Sequence, residues 1–177
     1  MTTQLESGIQ QSFREAMASV ATPVSVITTT WENEHYGATV SAFASLSMDP
    51  PMVLVSLDHR STLLTGIRSA NRFGVNILSA AQASTALRFA SSRGVGKFHG
   101  VPWQPVSGLP RLEGAVAWLA CDVVELVEGG DHIIALGRVS SVEACDGSPL
   151  VYHRRVFGTH SALEGGKISI DKSFHPQ

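Results

Sequence analysis

Gly37-Ala38-Thr39-Val40-Ser41-Ala42-Phe43-Ala44-Ser45-Leu46-Ser47-Met48-Asp49-Pro50-Pro51 is the stretch on which the fold turns. Thr39, Ser41, Ser45 and Ser47 all fall on odd positions. Side chains alternate between the two faces of an extended strand, so the run predicts one strand with four hydroxyls on a single face. Val40, Ala42, Ala44, Leu46 and Met48 then point toward a core. Hydroxyls both donate and accept, so such a row beside exposed backbone N–H groups suits a phosphate or a polyol chain. The same pattern also makes an ordinary solvated face on an antiparallel strand. Spacing alone does not choose between them.

Working upstream, Ile9, Phe13, Met17 and Val20 recur at helical spacing, which predicts an amphipathic helix over residues 9–20 packed on the body. Pro23 stops it, and P-V-S-V-I-T-T-T-W is β-branched and reads as a strand. E-N-E-H-Y-G then turns the chain back into the hydroxyl run. Downstream, M-V-L-V-S-L reads as a buried strand. Ser61 is a good N-cap for a short helix through Ala70, with Leu63, Leu64 and Ile67 on its apolar side. R-F-G-V-N-I-L is another strand, and Ser79 with Gln82 fits a capping box opening a helix to about Ala90. Residues 91–110 are rich in Gly, Pro and Ser without a period, which predicts a long loop, often a functional feature. A-V-A-W-L-A-C-D-V-V-E-L-V and H-I-I-A-L-G-R-V-S-S-V form two long strands joined by E-G-G-D, and a last strand lies near Leu150–His153. Many turn-bounded antiparallel strands with few crossover helices argue for a barrel or sandwich.

Composition sets outer limits. The 177 residues suffice for one domain plus a short tail, assigned to residues 1–158 and 159–177. A net charge of −2 without a Lys/Arg cluster gives no electrostatic case for nucleic acid. No apolar run approaches the ~18 residues of a membrane span, and M-T-T-Q-L-E-S-G lacks the features of a secretion signal. A soluble, cytoplasmic protein is expected. Cys121 and Cys145 are too far apart for a C-x-x-C site and should stay free thiols, with Cys121 a buried small hydrophobe. The seven histidines form no H-x-x-x-H pair, and no metal is expected. Neither G-x-G-x-x-G nor a P-loop is present, which disfavours a Rossmann or nucleotide-triphosphatase site.

Three further segments carry candidate chemistry. Glu128-Gly129-Gly130-Asp131 makes a good hairpin turn and sets His132 at the start of a strand, within reach of a ligand at a barrel mouth. Asp58, His59, Arg60, Ser61 and Thr62 stand between a strand end and a helix start, where free N–H groups can meet an anion; plain capping by Ser61 explains them equally well. Lys97, Phe98 and His99 lie in the long loop and could cover a ligand, with Phe98 assigned to the cofactor. Tyr152-His153-Arg154-Arg155-Val156-Phe157 mixes aromatic and cationic groups that suit a flat ligand, a phosphate or an interface.

Read in order, T-V-S-A-F-A-S-L-S-M-D-P-P, G-L-P-R-L-E-G-A, G-D-H-I-I-A-L-G-R-V and L-V-Y-H-R resemble the short-chain flavin reductase family over roughly residues 10–158. Its members are the reductase components of two-component flavin-dependent monooxygenases. The resemblance implies a mainly β fold, a split β-barrel of Greek-key type with a few peripheral helices. It also implies a homodimer with flavin near the subunit interface. The flavin phosphate and ribityl chain would run along Thr39, Val40, Ser41, Ala42, Ser45 and Ser47. His59, Arg60, Ser61 and Thr62 would lie near the phosphate or the adenylate part of FAD. His132 would meet the nicotinamide, with Arg154 and Phe157 lining the same side. Family members often read R-G-R-Y where this chain has Arg154-Arg155-Val156-Phe157, so Val156 and Phe157 stand in place of an arginine and a tyrosine.

The activity so implied is hydride transfer from NADH or NADPH to FMN or FAD, with reduced flavin passing to a partner monooxygenase. A flavin-binding module of the same fold, storing or sensing flavin without rapid nicotinamide turnover, is the alternative. A fused-type oxidase with its own small substrate is less favoured, because no substrate-binding acid or base stands out.

Overall fold

A computed structural model of the chain describes residues 2–91 and 95–161. Helix α1 (Thr2–Ala18) leads into β1 (Thr22–Pro23), β2 (Ser25–Trp31), β3 (Glu34–Val40), β4 (Phe43–Met48) and β5 (Pro51–Asp58). Then come α2 (Thr62–Ala70), β6 (Arg72–Ile77), α3 (Ala83–Ser91), β7 (Trp103–Val106), β8 (Leu109–Leu112), β9 (Ala117–Gly129), β10 (His132–Ala144), β11 (Leu150–His153) and β12 (Val156–Thr159). One seven-stranded antiparallel sheet has the order β3-β2-β6-β9-β10-β5-β4. Its two end strands, β3 and β4, are consecutive in the chain yet do not pair with each other. The barrel is therefore split, and the split falls inside the hydroxyl run.

That run is two strands, not one. Ser41 and Ala42 leave the ladder between β3 and β4, and a register shift between Ser45 and Ser47 breaks the alternation again. Leu46 and Met48, expected in the core, are exposed. The alternation argument fails because it assumes one strand in one uninterrupted register, whereas this segment crosses from one edge of the sheet to the other.

The central strands behave as their composition predicts. β2 is buried on both faces: Ile27 joins a core with Val53, Val55, Leu57, Phe73, Val75, Cys121 and Ile133, and Val26 joins a second with Leu78, Phe89, Leu112 and Leu150. Buried threonines on β2 find backbone partners, Thr28 Oγ1 donating to Pro110 O at 2.8 Å and Thr29 Oγ1 to Arg72 O at 2.7 Å. Helix α2 seals the first core with Leu63, Leu64 and Ile67, as its spacing predicts. Gly37 lets α3 lie directly on β3, since a Cβ there would sit 2.6 Å from the Phe89 ring. β9 and β10 pair along their whole length through a two-residue turn, whose first position, Gly130, has φ of 74°. That is left-handed backbone that favours glycine.

Other expectations change. The turn after β2 is confined to Glu32 and Asn33, and residues 34–36 already belong to β3. The predicted long loop of residues 91–110 contains most of a small hairpin, β7 with β8. Strand β12 was not anticipated; it pairs with β11 and takes Thr159 out of the expected tail. The rest of that tail, residues 162–177, lies outside the described residues. Helix α1 runs from Thr2 to Ala18, not over the expected residues 9–20, and its apolar stripe is not packed on the body: Ile9 is 70% exposed, Phe13 62% and Met17 46%, with Val20, past the helix end, 45% exposed. Helical spacing identifies an apolar face, not what covers it. No helix among the described residues is long and apolar enough to cross a membrane.

Candidate functional site

A polar cleft opens where β3 and the break after it face the end of β5 and the start of α2. One lobe, about 250 Å³, is lined by residues 38–42 from β3 and the break, by Ser56, Leu57, Asp58 and Ser61, and by His132. A second lobe of about 200 Å³ shares Ala38, Thr39, Asp58 and Ser61 and adds Arg60, Thr62, Phe89, Ala90 and Lys97. The two make one trough, from the tip of the long hairpin to the start of α2 and the end of α3.

Backbone registry places the residues at the hairpin end. His132, the first residue of β10, stands opposite Gly129 on β9 and Asp58 on β5. Its Nδ1 lies 2.7 Å from Asp131 Oδ1, which orients the ring, and this contact holds the Asp131 carboxyl below the usual carboxylate range. His59 N–H donates to Asp131 O at 3.2 Å, and its Nε2 meets Glu128 Oε2 at 3.1 Å. The hairpin tip and the β5–α2 turn are thereby stitched together from both sides.

Asp58 organises the middle. Its carboxylate accepts from Arg60 Nε at 3.1 Å and a terminal guanidinium nitrogen at 2.8 Å, and from the Arg60 backbone N–H at 2.7 Å. These bonds hold its carboxyl well below the ordinary value. Asp58 O also accepts from Ser61 N–H at 2.9 Å, setting the entry to α2. Ser61 occupies the N-cap position as predicted, but its side chain makes no capping hydrogen bond. The first-turn N–H groups of α2, which have no partner within the helix, remain without that cap beside the cleft. At the far end Lys97 Nζ donates to Phe89 O at 2.8 Å, and burial pulls its pKa down.

Thr39, Val40, Ser41, Ala42, Arg60, Ser61, Thr62 and His132 therefore line the two lobes of this trough, with His59 tied to the hairpin tip beside it. Thr39 turns its hydroxyl away from an open row: Oγ1 donates to Ala86 O of α3 at 2.6 Å. Ser45 and Ser47, on β4, do not line the trough. Phe98 packs edge-on against Phe89 and Trp103 and is nearly buried in the second core. It serves as an aromatic wedge beneath the site. Arg154 and Phe157 belong to the β11–β12 hairpin, on the side facing α1, where Arg154 N–H donates to Ala18 O at 2.8 Å. Asp58, from the polar segment before α2, and Lys97, from the long loop, also line the cleft. Ser56 and Phe89 line it with no signal in the sequence that pointed to them.

Ser41 and Ala42 also form one wall of a second, apolar groove of about 530 Å³, lined by Phe13, Met17, Val20 and Tyr152 with Arg14 and Arg155 at its edges. The two cavities sit back to back across this break in the strand.

A flavin reductase like domain model matches residues 17–161. The reductase component of a 4-nitrophenol 4-monooxygenase/4-nitrocatechol 2-monooxygenase from Rhodococcus opacus is 41% identical over 82% of this chain and 78% of its own. An NADH-dependent flavin reductase from a Rhodococcus species is 37% identical, covering 81% of this chain and 82% of its own. The crystal structure of nitrilotriacetate monooxygenase component B from Mycobacterium thermoresistibile superposes with a TM-score of 0.87 at 30% identity, over 97% of this chain and 98% of that one. The chain belongs to the flavin reductase like family, and its architecture is the split barrel of that family.

Proposed function

We propose that this oxidoreductase passes a hydride from NADH or NADPH to FMN or FAD and supplies the reduced flavin to a partner monooxygenase. The observation that carries the reading is the trough itself, with an oriented histidine at one end and an anion-ready helix start at the other. Relatives named as reductase components and as an NADH-dependent flavin reductase support it.

The cleft residues fit a flavin. Polar backbone at Thr39 and the hydroxyls of Ser41 and Ser61 suit a ribityl chain, and the uncapped start of α2 suits the phosphate. When bound, the flavin supplies the hydride-accepting ring atom, and the protein contributes binding and orientation. His132, fixed by Asp131, would contact the nicotinamide carboxamide and hold that ring against the flavin, which is proximity catalysis without a protein nucleophile or base. Asp58 and Arg60 neutralise each other and shape the rim. Ser45, Ser47, Arg154 and Phe157 do not line the cleft within one chain, so any cofactor role for them would be completed by a second subunit.

A homodimer fits this arrangement, because the exposed stripe of α1 and the apolar groove lie directly behind Ser41 and Ala42. Oxidation of NADH and of NADPH by the purified protein, followed by loss of nicotinamide absorbance with FMN, FAD or no added flavin, tests the reading. Turnover that saturates with free flavin is expected. Flavin binding without turnover would replace the reductase by a storage or sensing module.

A further inference from the structure

The turn between β11 and β12 consists of Arg154 and Arg155, and both have left-handed backbone, with φ of 47° and 66°. Two-residue hairpin turns of this hand favour Asn-Gly, because most side chains are strained at positive φ. Arginine at both positions therefore costs stability, and strain of this kind clusters where side chains meet a ligand. Both residues are exposed, and neither belongs to the ion pairs among the described residues. Arg60, Arg72 and Arg111, by contrast, each hold a carboxylate. Arg154 and Arg155 line a hollow of about 470 Å³ with Gln11, Glu15, Ala18 and Ser19. Glu15, the one carboxylate there, accepts from the Gln11 amide at 2.7 Å and pairs with neither arginine. Arg155 also edges the groove behind Ser41 and Ala42, so the turn adjoins the wall that the groove and the cleft share. Next to it Tyr152, 37% exposed, packs on Phe157 with ring centroids 5.3 Å apart, an aromatic surface on which a base can lie.

We propose that the Arg154–Arg155 turn binds the 2′-phosphate of NADPH, and that Arg155 makes NADPH the preferred hydride donor. A phosphate monoester carries roughly two negative charges and three acceptor oxygens, which two unpaired guanidinium forks match in charge and shape. NADH lacks this group and is otherwise the same molecule. The assignment rests on the flavin reductase reading and extends it to the donor. The competing account is a solvated hairpin tip whose charges serve solubility alone.

The variant Arg155→Gly separates the two, because glycine relaxes the turn and the Tm should not fall. The wild-type protein should oxidise NADPH in preference to NADH. In the variant, kcat/KM for NADPH drops roughly tenfold to a hundredfold, the scale of a charge-assisted hydrogen bond, while that for NADH stays near its wild-type value. Calorimetry on the wild-type protein gives a readout free of turnover: adenosine 2′,5′-bisphosphate binds about tenfold or more tightly than 5′-AMP or inorganic phosphate. Equal use of both donors by the wild-type protein, parallel loss with both in the variant, or inorganic phosphate binding as tightly as the bisphosphate would overturn the assignment. Failure of the underlying reading looks different: no flavin would support oxidation of either donor by the wild-type protein.

Discussion

The two cavities that share Ser41 and Ala42 differ in how finished they are. The polar cleft is pre-bonded: Asp58 holds Arg60 and Ser61, Asp131 holds His132, and Glu128 meets His59. The apolar groove behind it is lined by side chains that remain open to solvent, Phe13, Met17 and Val20 among them. Polar groups must be satisfied locally when a chain folds, so a polar site is largely complete within one subunit. Apolar surface can wait for a partner, and contiguous exposed apolar surface commonly marks such a contact.

The sharpest way to break that contrast is to charge the groove. Phe13→Asp with Met17→Asp should weaken self-association by roughly a thousandfold, the effect of losing two buried anchors, read by analytical ultracentrifugation. An unchanged mass would show that the groove is not an interface. Next comes the cleft. His132→Ala should lower kcat/KM for the nicotinamide substrate by about tenfold to a hundredfold and leave flavin Kd from fluorescence quenching unchanged. Equal loss of flavin affinity would mean that the hairpin end positions flavin, not nicotinamide.

A smaller effect concerns the Asp58–Arg60 pair. Arg60 depresses the folded pKa of Asp58, so the stabilisation is present above the unfolded value of about 3.9 and is lost as pH falls through the folded value. Arg60→Ala should therefore move acid unfolding, followed by circular dichroism, slightly toward higher pH while the response between neutrality and mild acid stays flat. An unmoved midpoint would mean the pair adds nothing to the rim. The smallest effect is on the thiols. Burial, with the Asp122 charge nearby, pushes Cys121 up to about 12. A thiol reagent should titrate exposed Cys145 promptly and Cys121 only on unfolding; prompt reaction of both would show that the core wall behind the cleft opens.

Much of this was legible from local pattern. The helix from Ser61 with Leu63, Leu64 and Ile67 inward, the paired strands around Gly130, and the buried Cys121 each follow from periodicity or a turn residue acting within a few positions. The candidate site was legible residue by residue around Ser41, Ser61 and His132. Its completion was not, because Ser56 and Phe89 come from separate elements, β5 and α3, with no local pattern that marks them.

Taken alone, the amino-acid sequence determined the order and type of most elements and the family, since these depend on side-chain periodicity and on motifs of fixed spacing. The tertiary structure decided that the hydroxyl run breaks at Ser41 and Ala42, that α1 leaves its apolar stripe uncovered, and that a loop lysine is buried. Each of these is set by which distant backbone closes over a segment. No residue between Val40 and Phe43 marks the break, because what creates it is the parting of two sheet edges that the chain must bridge.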